Sequence, residues 1–145
     1  MPEYHYAKGR ISESIQFIVE ELREYDTDYS QITWDEYRDD KKIQKLIDRT
    51  VENILTAAIE TCGTLLAEEG IAAANYAEVL AQGANLLGFS AEDQENLSKL
   101  AAVRNRLAHR YLNFRWQSVQ LFAEQRELIL NLITKTLARE ETRES

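Results

Sequence analysis

The side chains best suited to chemistry lie in Arg104-Asn105-Arg106-Leu107-Ala108-His109-Arg110-Tyr111. The segment holds one of only two histidines in the 145-residue chain. Histidine changes charge near neutral pH and so can move a proton during catalysis. The segment also sits inside the one basic stretch of an acidic protein. From Asn96 to Ala123 there is no Asp or Glu, while Lys99, Arg104, Arg106, Arg110 and Arg115 all fall there. The stretch carries +5, and with a net charge of −8 for the whole chain the remainder carries −13. A cationic island on an anionic protein is a candidate site for phosphate or another anion.

The Leu and Ala content of the segment predicts a helix. On a helical wheel Leu100, Val103 and Leu107 form one apolar stripe, with Arg104 and Tyr111 beside it on nearly one line. Asn105 and His109, four apart, are neighbours on a different face. Ala101, Ala108 and Leu112 fill the sector between Arg104 and Asn105. Such small residues let a second helix approach closely, so the polar pair is expected to face a partner subunit.

An arginine and a histidine beside a phosphodiester suggest metal-independent RNA cleavage. The ribose 2′-OH attacks the adjacent phosphorus while an imidazole removes or returns a proton, worth ~10²–10⁴-fold in rate. A guanidinium stabilises the charge that builds on the phosphoryl oxygens. Acid and base roles want groups on opposite sides of the phosphorus, and a symmetric dimer would supply a second His109. A purely structural reading stands beside this one. Acids open this helix and bases close it, which complements the helix dipole without any ligand.

The pattern Arg104-Asn105-x3-His109-x-Tyr111 resembles the Arg-x4-His-x-Tyr motif of HepT toxins. These form a branch of the HEPN (higher eukaryotes and prokaryotes nucleotide-binding) superfamily. The resemblance extends to chain length, an all-helical pattern and a motif placed on a late helix before a long last one. It implies a homodimeric ribonuclease toxin whose two motif copies meet in a cleft between subunits. Arg104 and His109 would be catalytic and Asn105 would help position them. It also implies a cognate antitoxin, MntA, a minimal nucleotidyltransferase that transfers AMP from ATP onto the motif tyrosine, here Tyr111. Added AMP would bring bulk and negative charge beside the catalytic pair and repel RNA phosphates. Lys99, Arg106, Arg110 and Arg115 are the expected RNA contacts, and no cofactor or metal is expected. The competing reading is a non-catalytic helical adaptor dimer that binds a nucleotide or RNA through the segment Arg104 to Arg110.

The rest of the chain must hold this segment in place. Its length suits one domain, residues 1–145, able to bury about 68–70% of its unfolded surface. A single cysteine, Cys62, rules out an intramolecular disulfide. With no long apolar run and no signal-like segment at the N-terminus, the expected location is cytoplasmic. The acidity argues against general coating of nucleic acid but is compatible with a local basic cleft, where binding should weaken with salt.

Residues 1–9 read as a loose lead-in, with His5 incidental. The first helix is expected from about Arg10 to Tyr25, on the spacing of Ile11, Ile15, Ile18 and Leu22, with Val19 widening the stripe. A polar connection follows from Asp26 to Thr33. A second helix of about 35 residues, longer than most, runs from Trp34 or Asp35 to Glu69, with a bend possible. Its stripe includes Leu46, Val51, Ile54, Leu55 and a buried, inert Cys62, and Asp39-Asp40-Lys41-Lys42 is its solvated surface. No Glu-x-x-His pair points to a di-iron bundle. A third helix is expected from Asn75 or Tyr76 to Leu87, weakened by Gly83 and capped by Gly88. Ser90-Ala91-Glu92-Asp93 resembles a capping box and opens the fourth helix, which carries the motif. Asn113 to Trp116 forms a junction. There Phe114 and Trp116 are read as closing a core corner, with stacking on RNA bases as the alternative. The last helix is expected from Gln117 to Arg139, with Leu137 inward and a frayed tail at 140–145. Together these predict an all-α, HEPN-like antiparallel up-and-down bundle of about five helices.

Overall fold

A computed structural model describes the backbone of residues 2–144 and the side chains of residues 9–142. The reading of His5 falls on side chains outside that set. The described residues form an all-α, up-and-down bundle.

Helix α1 spans Pro2–Glu24, so it begins eight residues before the expected start near Arg10. Proline suits a first helical turn because the N–H it lacks would have no partner within the helix. The chain then tightens into a π-helical turn, Tyr25–Tyr29, where a polar connection was expected. This turn keeps Tyr25 pointing inward, edge-on to Phe122 with ring centroids 5.1 Å apart. Burial pushes the Tyr25 phenol above its ordinary range.

The expected long second helix is two helices. Helix α2 spans Trp34–Asp39 and α3 spans Lys41–Glu68, with extended backbone at Asp40 between them. The run Asp39-Asp40-Lys41-Lys42 is exposed as expected, but it spans a break between two helices and is not one helix surface. The Asp40 carboxylate accepts the Lys42 and Ile43 N–H groups at 3.0 and 3.2 Å and caps α3, while Asp39 pairs with Arg38. Thr33 and Glu36 form a capping box at the start of α2. Leu46, expected on the apolar stripe, is exposed, as are Val19 and Leu137.

Helix α4 spans Tyr76–Leu86 behind the N-cap Asn75, and Gly88 takes the left-handed conformation expected of a C-cap (φ 87°). Helix α5, Ala91–Ala108, is capped by Ser90. The last expected helix is again two, α6 (Arg115–Glu124) and α7 (Arg126–Glu144), and α7 continues past Arg139. The break at Gln125 aligns Arg126 with Asp26, to which it is ion-paired. No glycine or proline marks the break, and Arg126 just beyond it pairs with a residue 100 positions away.

One core joins the elements. Ile11, Ile15, Ile18 and Leu22 of α1 face Val51, Ile54, Ala58 and Leu65 of α3. Leu80 and Ala84 of α4, Leu97, Leu100, Val103 and Leu107 of α5, Phe122 of α6 and Ile129 of α7 complete it. Cys62 is fully buried as expected, and burial pushes its thiol up to about 12. The apolar faces of α3 and α4 thus grip one face of α5, and the basic segment emerges at the end of that helix.

Candidate functional site

Helix α5 ends at Ala108, so the motif spans a helix end rather than a helix interior. His109 is the C-cap, with φ −105° and ψ 81°, and its N–H donates to the Asn105 carbonyl at 3.1 Å. Leu112 N–H then donates to the His109 carbonyl at 2.9 Å, closing a turn that carries Tyr111 away from the helical line expected for it. Nothing in the local sequence, neither Gly nor Pro, marks this end.

Arg104 lies in the wall between α5, α3 and α4. Its Nε donates to Thr56 Oγ1 at 3.2 Å and an Nη donates to Asn105 Oδ1 at 3.2 Å. Its guanidinium carbon stands 5.6 Å from the centroid of the Tyr76 ring. Among the described residues no carboxylate is ion-paired with it. The guanidinium is therefore oriented by neutral groups, and its charge is not cancelled. Asn105 serves as the hinge of the motif, since its side chain holds Arg104 and its carbonyl holds the His109 backbone. The His109 ring is exposed and lies 6.1 Å from the Tyr111 ring, and Tyr111 is 84% exposed.

The four expected RNA contacts separate. Lys99 is exposed on α5. Arg106 donates to the Asn113 carbonyl at 3.1 Å and stands 5.7 Å from the Phe114 ring centroid. Arg110 and Arg115 are engaged inside the fold: both donate to Asp48 Oδ2, at 3.3 and 2.6 Å, and Asp48 is fully buried. Tyr37 donates its hydroxyl to the other oxygen of Asp48 at 2.7 Å. Burial first, then that bond, pushes the Tyr37 phenol well above its ordinary range. Two of the predicted anion contacts are thus structural cations, because a buried carboxylate requires paired charge and hydrogen bonds. Trp116 packs 4.9 Å from Tyr37 between ring centroids, the core corner expected of it. Phe114 departs from that expectation. It is 62% exposed and held at φ 67°, a conformation costly for a bulky side chain.

These contacts fix the turn between His109 and Arg115 at three points: Arg106 on the Asn113 carbonyl, and Arg110 and Arg115 on Asp48. The exposed imidazole and phenol therefore stand on a braced turn. Sequence reasoning missed Asp48, although it falls in register with Val51, Leu55, Ala58 and Cys62, an acid on an apolar stripe. It also missed Lys45 and Arg49. With Arg110, Glu52 and Asn53 they line a hollow of about 360 Å³ against Leu107 and Ala108, on the α3 side of the motif. A second hollow, of about 500 Å³, opens on the α4 side between Asn75, Tyr76, Ala77, Ala101, Ala102 and Asn105.

The arrangement offers a guanidinium with no ion-paired carboxylate among the described residues, an exposed imidazole five residues further on, and basic groups beside them. That set can bind a phosphodiester and move a proton. Among the described residues no group of three or more His, Cys, Asp or Glu is placed to hold a metal ion. No helix among them is long and apolar enough to cross a membrane. The family described as Ribonuclease HepT-like matches residues 11–136 of the chain, which includes both hollows and the whole motif. Comparison with the curated proteins returned no match.

Proposed function

The chain belongs to the HepT-like ribonuclease family, and from that premise we propose that it is a metal-independent RNA endonuclease, the toxin of a toxin–antitoxin pair. The observation that carries the reading is Arg104. It is fixed by Thr56 and Asn105, has no ion-paired carboxylate among the described residues, and lies five residues before an exposed His109.

The ribose 2′-oxygen attacks phosphorus, forming the O2′–P bond as the P–O5′ bond breaks. One imidazole takes the 2′-OH proton, and a second, protonated imidazole gives a proton to the departing 5′-oxygen. Arg104 draws charge from the non-bridging oxygens through forked N–H donors. Each chain brings one His109, so the two roles call for a homodimer with both copies at one phosphate. The small side chain of Ala108, next to His109, suits close approach of a second α5.

Inhibition falls to a cognate nucleotidyltransferase antitoxin of the MntA kind, which moves AMP from ATP to the Tyr111 hydroxyl. The 84% exposure of Tyr111 supports a transferase reaching it, and the 6.1 Å between its ring and that of His109 supports a block by the added phosphate.

The deciding experiment incubates the purified chain with single-stranded RNA in excess chelator. The expected products end in a 2′,3′-cyclic phosphate and a 5′-hydroxyl, and His109→Ala lowers the rate by ~10²-fold or more. Strict dependence on a divalent ion, or robust cleavage by both His109→Ala and Arg104→Ala, defeats the reading.

A further inference from the structure

We infer that the hollow between the start of α4 and the middle of α5 is a nucleobase subsite of the RNA groove, with Tyr76 as its stacking platform. The inference rests on the ribonuclease reading for its substrate class. Tyr76 is the first residue of α4 and is 48% exposed, although its ring is large and apolar. The Arg104 guanidinium stands 5.6 Å from its ring centroid. Tyr76 thereby places an aromatic ring beside the group that would hold the scissile phosphate. A nucleotide whose phosphate meets Arg104 has its base within reach of this ring.

The rest of the hollow fits a flat, hydrogen-bonding ring. Ala101 and Ala102 offer only methyl groups and so leave open space in the hollow beside Tyr76. Two amides border it. The Asn105 carbonyl oxygen Oδ1 is taken by Arg104, and Asn75 Oδ1 accepts the Glu78 N–H at 2.9 Å. Among the described residues neither amide's NH₂ group donates a hydrogen bond, and the pair together matches carbonyl oxygens and ring nitrogens on a base edge. Aromatic stacking with a few edge hydrogen bonds is the usual way proteins hold unpaired RNA bases. The hollow of about 500 Å³ lies next to the basic segment, so base and backbone can be held together.

The test uses His109→Ala protein, which should bind RNA without cutting it, and a fluorescein-labelled oligouridylate read by anisotropy. Tyr76→Leu, which keeps bulk but loses the π face, is expected to weaken binding by on the order of tenfold. Tyr76→Phe should stay within about twofold of Tyr76. On a strand carrying an abasic nucleotide at the bound position, Tyr76 and Tyr76→Leu should bind alike. Equal binding of Tyr76→Leu and Tyr76 to the intact strand overturns the inference, as does an equal loss on the abasic strand. Sedimentation of Tyr76→Leu should match the parent. If the dimer is lost instead, the hollow seats the second subunit and the inference fails. Should no variant bind the oligonucleotide, uridine 3′-monophosphate is titrated against the parent by NMR. Shifts of the Tyr76 ring signals then keep the base site while the ribonuclease reading falls, and their absence overturns the base site as well.

Discussion

Arg115, the first residue of α6, donates a hydrogen bond of 2.6 Å to the fully buried Asp48 of α3. Arg110 reaches the same oxygen at 3.3 Å, so one carboxylate ties down both flanks of the turn that follows His109. A buried charge with its partners removed is costly, and the turn has few other anchors. Arg115→Met should therefore lower stability by ~3 kcal/mol, with Arg110→Met milder because Arg110 makes the longer contact. Urea unfolding measures both. Stability unchanged in Arg115→Met would show that the turn is held by something else.

Arg104→Lys should behave almost as badly as Arg104→Ala in RNA cleavage. Lysine keeps the charge but cannot donate to Thr56 and Asn105 while also offering a planar fork to phosphate. A loss of ~10²–10³-fold in kcat is expected for either substitution. Thermal unfolding should move little, since neither hydrogen bond satisfies a buried charge. Near-normal cleavage by Arg104→Lys would reduce Arg104 to a simple point charge.

Tyr111 should carry added AMP when the chain is produced together with its antitoxin, and intact-mass measurement followed by peptide mapping reads it. Tyr111→Phe should escape modification and remain an active nuclease, because the phenol is exposed and outside the proton-transfer steps. An unmodified Tyr111 in a stable inactive complex would instead point to neutralisation by steric cover.

Gly83→Ala should destabilise the protein, although alanine is the better helix former by ~1 kcal/mol. A Cβ at Gly83 would sit 2.6 Å from Cys62 Sγ and 2.7 Å from Cys62 Cβ. The second of those atoms cannot swing away, so α4 must move off α3 at a net cost of ~1–3 kcal/mol. Calorimetry or urea unfolding checks the sign, and any gain in stability contradicts it.

The helical class and most of the core were legible because apolar spacing is a local property. The pattern of Ile11, Ile15, Ile18 and Leu22 faces inward as read, and Asn75 and Ser90 by their side chains, and Gly88 by its positive φ, suit the helix ends where they stand. Several departures fall where a helix breaks without a breaker residue. Asp40, Gln125 and His109 all interrupt patterns that continue smoothly in sequence. Each break aligns a distant pair or a cap, such as Arg126 with Asp26, which no local window contains.

By itself the sequence determined the chemistry on offer: which residues carry charge, which can move a proton, and that Arg104, Asn105, His109 and Tyr111 follow a family's spacing. Only the tertiary structure decided which of the cations are uncommitted. Arg110 and Arg115 look equivalent to Arg104 along the chain, yet they turn inward to a buried Asp48, whereas Arg104 rests on Thr56 and Asn105 and keeps its charge. The reason is physical. Charge pairing is governed by distance and desolvation in three dimensions, and residues 62 and 67 positions away along the chain supply it.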